Sequence, residues 1–244
     1  DSLAYSANSQ YESATNLFNQ KKYNEAIKEY LKIQNKTKEV NLALASCYWQ
    51  LNDFKNANKY YLEVLAKEPN DTETLISSAW AYYSMNDIQN AKQMANRLLA
   101  LDKTNKEAQN LLNEISTKET ENLLQDAIAK YEQGSINESL NLINQLLSKN
   151  PSDEYGMYYK GLCLDELKKT QDAIKQFRAL ILKNPNFAPA YYSLAVDLDN
   201  LENYKEAISN YEKFLSLKNG EKDDMTNFST SRIKELRDYL NALN

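Results

Sequence analysis

The chain has 244 residues, a formal net charge of −5 and no histidine. It contains only four glycines and four prolines, whereas these two residues make up about 12% of an average protein. Because sandwiches, barrels and propellers need both residues in their many turns, the composition nearly excludes these all-β architectures. The absence of histidine removes the commonest general base and the commonest metal ligand.

Hydropathy and charge narrow the possible environments and partners. The longest apolar runs are only a few residues long, whereas a membrane-spanning helix needs about 20 apolar residues, so we predict no membrane span in this segment. The acidic balance, with a pI near 5.1, argues against nucleic acid as a partner. The chain begins at Asp1 and shows no signal-peptide pattern, which is typical of a processed form or an excised segment. No compartment is predicted.

A short pattern recurs six times along the chain. Its first copy is Tyr-Asn-Glu-Ala at residues 23–26, and its small residue returns after steps of 31, 34, 48, 34 and 34 residues. These small residues are Ala26, Ala57, Ala91, Ser139, Ala173 and Ala207. A helical segment upstream of each copy carries a second small residue, in the order Ala14, Ala45, Ala79, Ala127, Gly161 and Ala195. A period of 34 residues predicts a helix–turn–helix unit, in which small side chains let the two helices approach closely.

Further residues agree in register across these units. Second helices carry aromatic residues, such as Tyr61, Phe177 and Tyr211. Several units end at a proline, namely Pro69, Pro151 and Pro185. By these features the chain resembles the tetratricopeptide repeat family over about residues 7–219. Two units depart from the pattern, since Ser139 replaces the usual alanine and Ala95 the usual aromatic residue. The resemblance implies an all-α fold, a right-handed α-solenoid of six helix–turn–helix repeats.

The two irregular steps predict how the repeats are divided. The step of 31 residues predicts an unusually tight connection near residues 36–38. The step of 48 residues leaves room for one extra helix, which either runs directly into the next helix or is interrupted by a capping box of Ser116 and Glu119. We therefore predict an N-terminal array of three repeats, a dividing helix, a C-terminal array of three repeats and a capping helix, at residues 1–103, 104–119, 120–219 and 220–244.

The last segment has the pattern of an amphipathic helix. Its apolar face consists of Ile233, Leu236, Leu243 and either Tyr239 or Leu240, and Arg232 lies off that face. A helical repeat array needs a terminal helix with a polar outer side to cover its last seam. We interpret this segment as such a cap rather than as a docking helix.

The resemblance also implies a concave groove lined by the first helix of each repeat. In the N-terminal array the groove positions are Tyr11, Phe18, Leu42, Trp49, Ile76, Trp80 and Tyr83. In the C-terminal array they are Tyr155, Tyr158, Asp165, Glu166, Tyr192 and Asp199. Aromatic residues that face water favour a protein-binding surface, although some of these rings alternatively pack between neighbouring helices. The acidic positions favour a segment with lysine or arginine through charge complementarity and cation–π contact.

No sequence feature indicates catalysis, a cofactor or a metal. Cys47 and Cys163 occupy equivalent repeat positions, where a small core residue is the simpler interpretation. Gly156 and Gly161 have the spacing of a phosphate loop, but both lie within a predicted helix and no lysine follows. The carboxylates lack an EF-hand-like loop and are interpreted as a solvated acidic face.

One binding mode of the resembled family is excluded by the residues present. Its members that hold acidic chaperone tails use lysine, arginine and asparagine on the first helices, whereas the matching positions here are Tyr11, Thr15, Ala43, Glu73 and Ser77. The sequence therefore predicts a non-enzymatic scaffold or adaptor that binds an extended peptide or a helix of another protein. Two alternatives stay open, a structural protein that self-associates through its repeats and, less favoured, a helical-scaffold enzyme. Partner identity and oligomeric state are not predicted.

Overall fold

The computed structural model describes the backbone of residues 2–243 and the side chains of residues 7–243. Within this range it contains 13 α-helices and no strand, which confirms the predicted all-α repeat fold. The helices are α1 Ser2–Asn19, α2 Tyr23–Lys32, α3 Lys38–Gln50, α4 Phe54–Lys67, α5 Thr72–Ser84, α6 Ile88–Leu101, α7 Lys106–Glu132, α8 Ile136–Lys149, α9 Glu154–Glu166, α10 Thr170–Lys183, α11 Ala188–Asn200, α12 Tyr204–Lys218 and α13 Asp224–Ala242. None of these described helices is long and apolar enough to cross a membrane.

Each repeat is a hairpin of two helices joined by a tight turn with one left-handed residue. The six left-handed residues have φ between 57° and 78° and all stand seven positions after the small residue of the first helix, namely Lys21, Asn52, Asn86, Gly134, Lys168 and Glu202. Glycine and asparagine adopt this conformation at little cost. Asp53 and Asp87 then cap the second helix by accepting hydrogen bonds from the backbone N–H of Asn56 and Asn90, which satisfies a free donor of the first turn.

The small residues are buried where the two helices of a hairpin pack together. The side chains of Ala14, Ala26, Ala45, Ala57, Ala79, Ala91, Ala127, Ser139, Ala173, Ala195 and Ala207 are all fully buried. Ser139 is tolerated in place of alanine because its hydroxyl donates a hydrogen bond to the backbone carbonyl of Ala127, at 2.7 Å. A buried hydroxyl without such a partner would destabilise the repeat.

The 31-residue step arises from a short helix and not from the tight connection that the sequence suggested. Helix α2 has 10 residues, whereas α4 and α6 have 14 each. The connection that follows α2 spans residues 33–37 and is therefore not shortened. The Lys36 ammonium donates hydrogen bonds to the backbone carbonyls of Leu31 and Ile33, which satisfies free acceptors at the end of this short helix.

The 48-residue step is explained by helix α7, which is continuous over 27 residues. The structure thus decides between the two alternatives that the sequence left open, since no break occurs near Ser116. The chain divides into two compact units, Asp1–Thr117 and Lys118–Asn244, and the boundary lies within α7 rather than at either end of it. A helix without glycine or proline has no reason to end at such a boundary.

Each unit has its own hydrophobic core. In the first unit, Ala108, Leu111 and Ile115 from the first half of α7 join the core of α5 and α6. In the second unit, Ile233 and Leu236 of α13 are buried in the core of the last two repeats. Of the two alternatives that the sequence left open, Leu240 packs against this core and Tyr239 is exposed. Leu243, which the sequence placed on the apolar face, is 66% exposed because it follows the last residue of α13.

We predict that Gly161→Ala destabilises the second unit. Helix propensity alone favours alanine by about 1 kcal/mol. However, a Cβ at Gly161 would lie 2.6 Å from Cζ and 2.9 Å from Cδ1 of the buried Phe177 ring, so the sign should reverse to a net loss of about 1–3 kcal/mol through overpacking. Chemical denaturation measures this loss, and the double variant with Phe177→Leu should recover part of it. A variant as stable as the parent chain would contradict the close approach.

Candidate functional site

The first helices of unit 1 carry a set of half-buried aromatic and apolar side chains, which we call the aromatic wall. It comprises Tyr11, Phe18, Leu42, Trp49, Trp80 and Tyr83. Ile76, which the sequence placed in this set, is only 8% exposed and belongs to the core of α5, α6 and α7. Its side chain is therefore a packing residue and is not available to a partner.

Two rings of the aromatic wall are held by a second ring across the hairpin turn. Phe18 packs edge-on against Tyr23 with centroids 5.3 Å apart, and Trp49 packs edge-on against Phe54 at 5.0 Å. Such pairs prefer this geometry because the ring edge is positive and the ring face is negative. The sequence analysis missed the partners Tyr23 and Phe54, although their spacing of five residues is the same in both repeats.

The third repeat of unit 1 holds its rings differently. Trp80 and Tyr83 pack edge-on against each other at 5.7 Å. The hydroxyl of Tyr83 also donates a hydrogen bond to the Glu114 carboxylate of α7, at 2.9 Å. In all three repeats, therefore, half-buried rings are fixed by neighbours within the unit and still present part of their surface to water.

The first helices of unit 2 carry a more polar set, which we call the acidic wall and define as Tyr155, Tyr158, Asp165, Glu166, Tyr192 and Asp199. Tyr155 is 57% exposed and Glu166 is also exposed. Tyr158 and Tyr192 are half-buried, and they contact the rings of Phe187 and Phe214 respectively. Burial raises the pKa of both phenols, so both hydroxyls stay neutral at physiological pH.

Asp199 has a partner within the chain and is not the free carboxylate that the sequence analysis expected. Arg232 of α13 donates to both of its carboxylate oxygens, at 2.7 and 2.9 Å, and the Tyr211 hydroxyl donates at 3.3 Å. The Asp199 side chain is only 9% exposed. The residue thus fixes the capping helix to the last repeat, because a bidentate arginine contact is both strong and directional.

Asp197 is a buried carboxyl group that the sequence analysis missed. It is 1% exposed, and its Oδ2 atom has no hydrogen-bond partner. Burial, and secondly the neighbouring Asp165 on α9, raise its pKa to about 8, because low polarity and a like charge both disfavour the ionised form. The sequence signal was available, since the equivalent residue one repeat earlier is Cys163, an ordinary small core residue.

The described residues offer no reactive constellation. Both thiols are buried, and burial raises the pKa of Cys47 to about 11 and that of Cys163 in the same direction, so neither is an activated nucleophile. Cys163 instead donates a weak hydrogen bond to the Ser139 hydroxyl. Among the residues whose positions are described, no group of three or more His, Cys, Asp and Glu side chains is arranged to hold a metal ion.

The hairpins, their small crossing residues and the exposed rings of their first helices define a helical repeat protein. Family models of the tetratricopeptide repeat match residues 48–115, 124–189 and 188–220. The chain belongs to the tetratricopeptide repeat family, as the sequence pattern predicted. Repeats of this family form a protein-interaction scaffold, and that general role applies here.

Solved structures show the same fold at low sequence identity. The chain is 17% identical to SycD, a type III secretion translocator chaperone of Yersinia enterocolitica, over 55% of this chain and 94% of that one, with a TM-score of 0.50. It is 15% identical to the TPR2AB domain of yeast Sti1, solved in complex with pHSP90, over 96% of this chain and 97% of that one, with a TM-score of 0.47. No curated protein matches the sequence. At these identities the likeness concerns the fold alone.

We predict that Asp197→Asn stabilises the protein at neutral pH and weakens the dependence of its stability on pH. The folded chain keeps the Asp197 proton up to about pH 8, whereas the unfolded chain releases it near the ordinary aspartate pKa of about 3.9. At this group the folded state therefore binds more protons across this range, so the contribution of Asp197 to the stability of the parent chain falls as pH rises towards 8. The variant should be more stable by about 1–3 kcal/mol at pH 8 and nearly equal at pH 4.

Thermal unfolding between pH 4 and pH 9 tests this prediction. Asp172→Asn is a matched control, because Asp172 is an exposed residue of α10 that pairs only loosely with Lys175, at 3.4 Å, and exposed pairs contribute little. Parallel pH profiles for the parent chain and Asp197→Asn would show that the buried carboxyl group is not protonated.

We predict that Arg232→Met destabilises the last repeat by about 1–3 kcal/mol, because it leaves the nearly buried Asp199 carboxylate without its cation. The methionine side chain retains most of the arginine stem, so lost packing is small. Arg237→Met is the matched control, since Arg237 pairs with the exposed Glu212 and should contribute less than about 1 kcal/mol. Equal denaturation midpoints for the two variants would mean that Asp199 does not depend on Arg232.

Proposed function

We propose that this chain is a non-enzymatic adaptor that binds an extended peptide or a single helix of a partner protein along the first helices of its repeats. The observation that supports this function best is the aromatic wall, which contains both tryptophans of the chain. Tryptophan and tyrosine are enriched among the residues that dominate binding energy at protein interfaces. Within this proposal, residues 1–103 and 120–219 are two binding arrays, and residues 104–119 and 220–244 cover their ends.

The ring pairs favour binding for an energetic reason. A flexible exposed side chain loses rotamer freedom when a partner orders it, which costs about 0.5–1.5 kcal/mol. The contacts of Trp49 with Phe54 and of Trp80 with Tyr83 already restrict these indoles. The aromatic wall therefore presents apolar surface that is ordered before the partner arrives.

The acidic wall sets the charge of the proposed partner. Glu166 is exposed, Asp165 is half-buried, and the whole chain has a net charge of −5. These negative charges attract an approaching segment that contains lysine or arginine, and they repel an acidic segment. Tyr155, which is 57% exposed, offers a ring face for a cation.

The same residues disfavour an acidic chaperone tail as the partner. The yeast Sti1 domain was solved in complex with pHSP90. In this chain, however, the positions that match a carboxylate clamp include Glu73 and no lysine or arginine. Burying an acidic terminus against such residues would lack compensating charge.

Self-association is the second candidate, and α13 is the observation that favours it. Met225, Phe228 and Tyr239 on this helix are each about half exposed, and exposed apolar side chains that share a helix favour contact with another chain. Size-exclusion chromatography with light scattering separates the two functions. A monomer at all concentrations supports the adaptor, whereas an oligomer that Phe228→Ser disperses supports self-assembly.

We predict that Trp49→Ala and Trp80→Ala each weaken peptide binding at least about thirtyfold, or about 2 kcal/mol, because binding hot spots lose this much on truncation. The probe is a peptide selected on the full chain from a random phage-displayed library, and its affinity is measured by fluorescence polarisation. Leu62→Ala on the second helix α4 is the control, since Leu62 is an exposed apolar residue, 37% accessible, outside the aromatic wall.

Circular dichroism distinguishes binding from folding in these variants. Retained helicity with lost binding supports the aromatic wall as the contact surface. Loss of helicity on either tryptophan substitution, or unchanged affinity, would mean that the indoles serve the core and that the groove positions are wrong.

A further inference from the structure

Two carboxyl groups from neighbouring repeats meet in unit 2 without a cation between them. Asp165 on α9 is half-buried and belongs to the acidic wall, and it faces the buried Asp197 on α11. The Oδ2 atom of Asp197 has no hydrogen-bond partner. The Asp197 carboxyl group keeps a proton that it shares with the Asp165 carboxylate, and no lysine, arginine or backbone N–H donates to this buried oxygen. Because buried carboxyl oxygens usually receive such a donor, the two carboxyl groups are joined by a proton at a place where a cation could replace it.

The next repeat shows how the same position is completed when a donor is present. Asp199 stands 34 residues after Asp165, at the equivalent position of the repeat. Its carboxylate receives Arg232 from the following helix, at 2.7 and 2.9 Å. At Asp165, the following helix α11 supplies Asp197, which lies 32 residues later, whereas Arg232 of α13 lies 33 residues after Asp199. The molecule thus contains one carboxylate site with its own cation and one equivalent site without.

The groups around the pair reinforce its negative character. On α9, the exposed Glu166 follows Asp165 directly, and on α7 the half-buried ring of Tyr131 lies near Asp165 and Glu166. On α11, Asp199 is already paired with Arg232. Helices α10 and α12 also pack on α11. On these helices Lys175, Arg178 and Lys218 pair with other carboxylates, and the charged group that acts on Asp197 is Asp165.

We propose that Asp165 and Asp197 form a receptor site for one cationic side chain, an arginine or lysine of the bound peptide. This inference depends on the proposed adaptor function and specifies the residue that unit 2 recognises. Arginine suits the site better than lysine, since its planar guanidinium donates in two directions at once. The neighbouring Tyr131 ring adds a face for cation–π contact. A divalent metal is less suitable, because it needs more oxygen ligands than this pair supplies.

The protonation state of the pair makes this recognition depend on pH. Below about pH 8 the pair retains one proton, owing mainly to the burial of Asp197. A bound cation favours the doubly ionised pair, so binding in this range releases that proton to solvent. Affinity for a basic peptide should therefore increase with pH up to about 8, by at most tenfold per pH unit for a single linked proton.

The first experiment is selection of peptides from a random phage-displayed library on the full chain and on Asp165→Asn. Enrichment of arginine or lysine at one fixed position by the parent chain, with loss of that preference in the variant, supports the site. Peptides that bind without a basic preference, or that keep it in the variant, overturn the site and leave the adaptor function standing. Failure to enrich any peptide overturns the adaptor function itself.

The second experiment measures proton linkage with one selected peptide and its citrulline analogue, which has the shape of arginine without its charge. The parent chain should bind the arginine peptide about tenfold or more tightly at pH 8.5 than at pH 6.0, and citrulline should remove this difference. Asp197→Asn should also remove it, whereas the control Asp172→Asn should keep it. Both aspartate variants relieve a like-charge contact and are expected to fold, which thermal unfolding verifies.

Flat pH profiles in the parent chain, or tighter binding of the citrulline peptide, would overturn the receptor site. Added calcium or magnesium serves as a further probe. Competition of millimolar divalent ion with the arginine peptide at constant ionic strength would mean that the pair is a metal site instead.

Discussion

The close approach of two helices at a small residue is the constraint on which the rest of this structure depends. In every hairpin the crossing residues are alanine, glycine or a hydrogen-bonded serine, and the described ones are fully buried. Once the helices are this close, the seventh residue after the crossing must turn in a left-handed conformation, even where it is Lys21 or Glu202. The free energy that this backbone conformation costs is offset because the second helix can then bury its apolar face. At Gly161 the constraint is tightest, since the Phe177 ring occupies the space that a Cβ would need.

The same geometry explains why binding residues and packing residues are difficult to separate here. A first helix buries one side in its hairpin and leaves the other side partly exposed, so a ring such as Trp49 contacts both the core and water. The contact of Trp49 with Phe54 across the turn stabilises the hairpin. The same contact also orders the surface that a partner would meet. Ile76 shows the opposite outcome. It stands at the repeat position of Tyr11 and Leu42, but it is only 8% exposed because it packs into the core of α5, α6 and α7.

The repeat period determines which features were predictable from the sequence. Periodicity correctly indicated the helices, the small crossing residues and the family. The pattern occurs in several copies, so a departure in one copy does not hide the agreement among the others. Features that occur only once in the chain were harder to predict from the sequence. The short helix α2 was mistaken for a tight connection, because a step length does not say which element is shorter. The continuity of α7 was left open, since local capping and helix propensity gave opposite indications near Ser116.

Charge in the last two repeats was the least predictable feature, because it depends on distances between residues far apart in sequence. Arg232 looked like a solvent-facing residue of an amphipathic helix, and only the packing of α13 brings it to Asp199. Asp197 replaces the cysteine of the preceding repeat at a buried position, where an ionised carboxylate without a cation is unfavourable. The proton that Asp197 retains reduces this cost while no cation is bound. In the receptor site that we propose, a partner supplies beside Asp165 the cation that Arg232 supplies to Asp199 one repeat later.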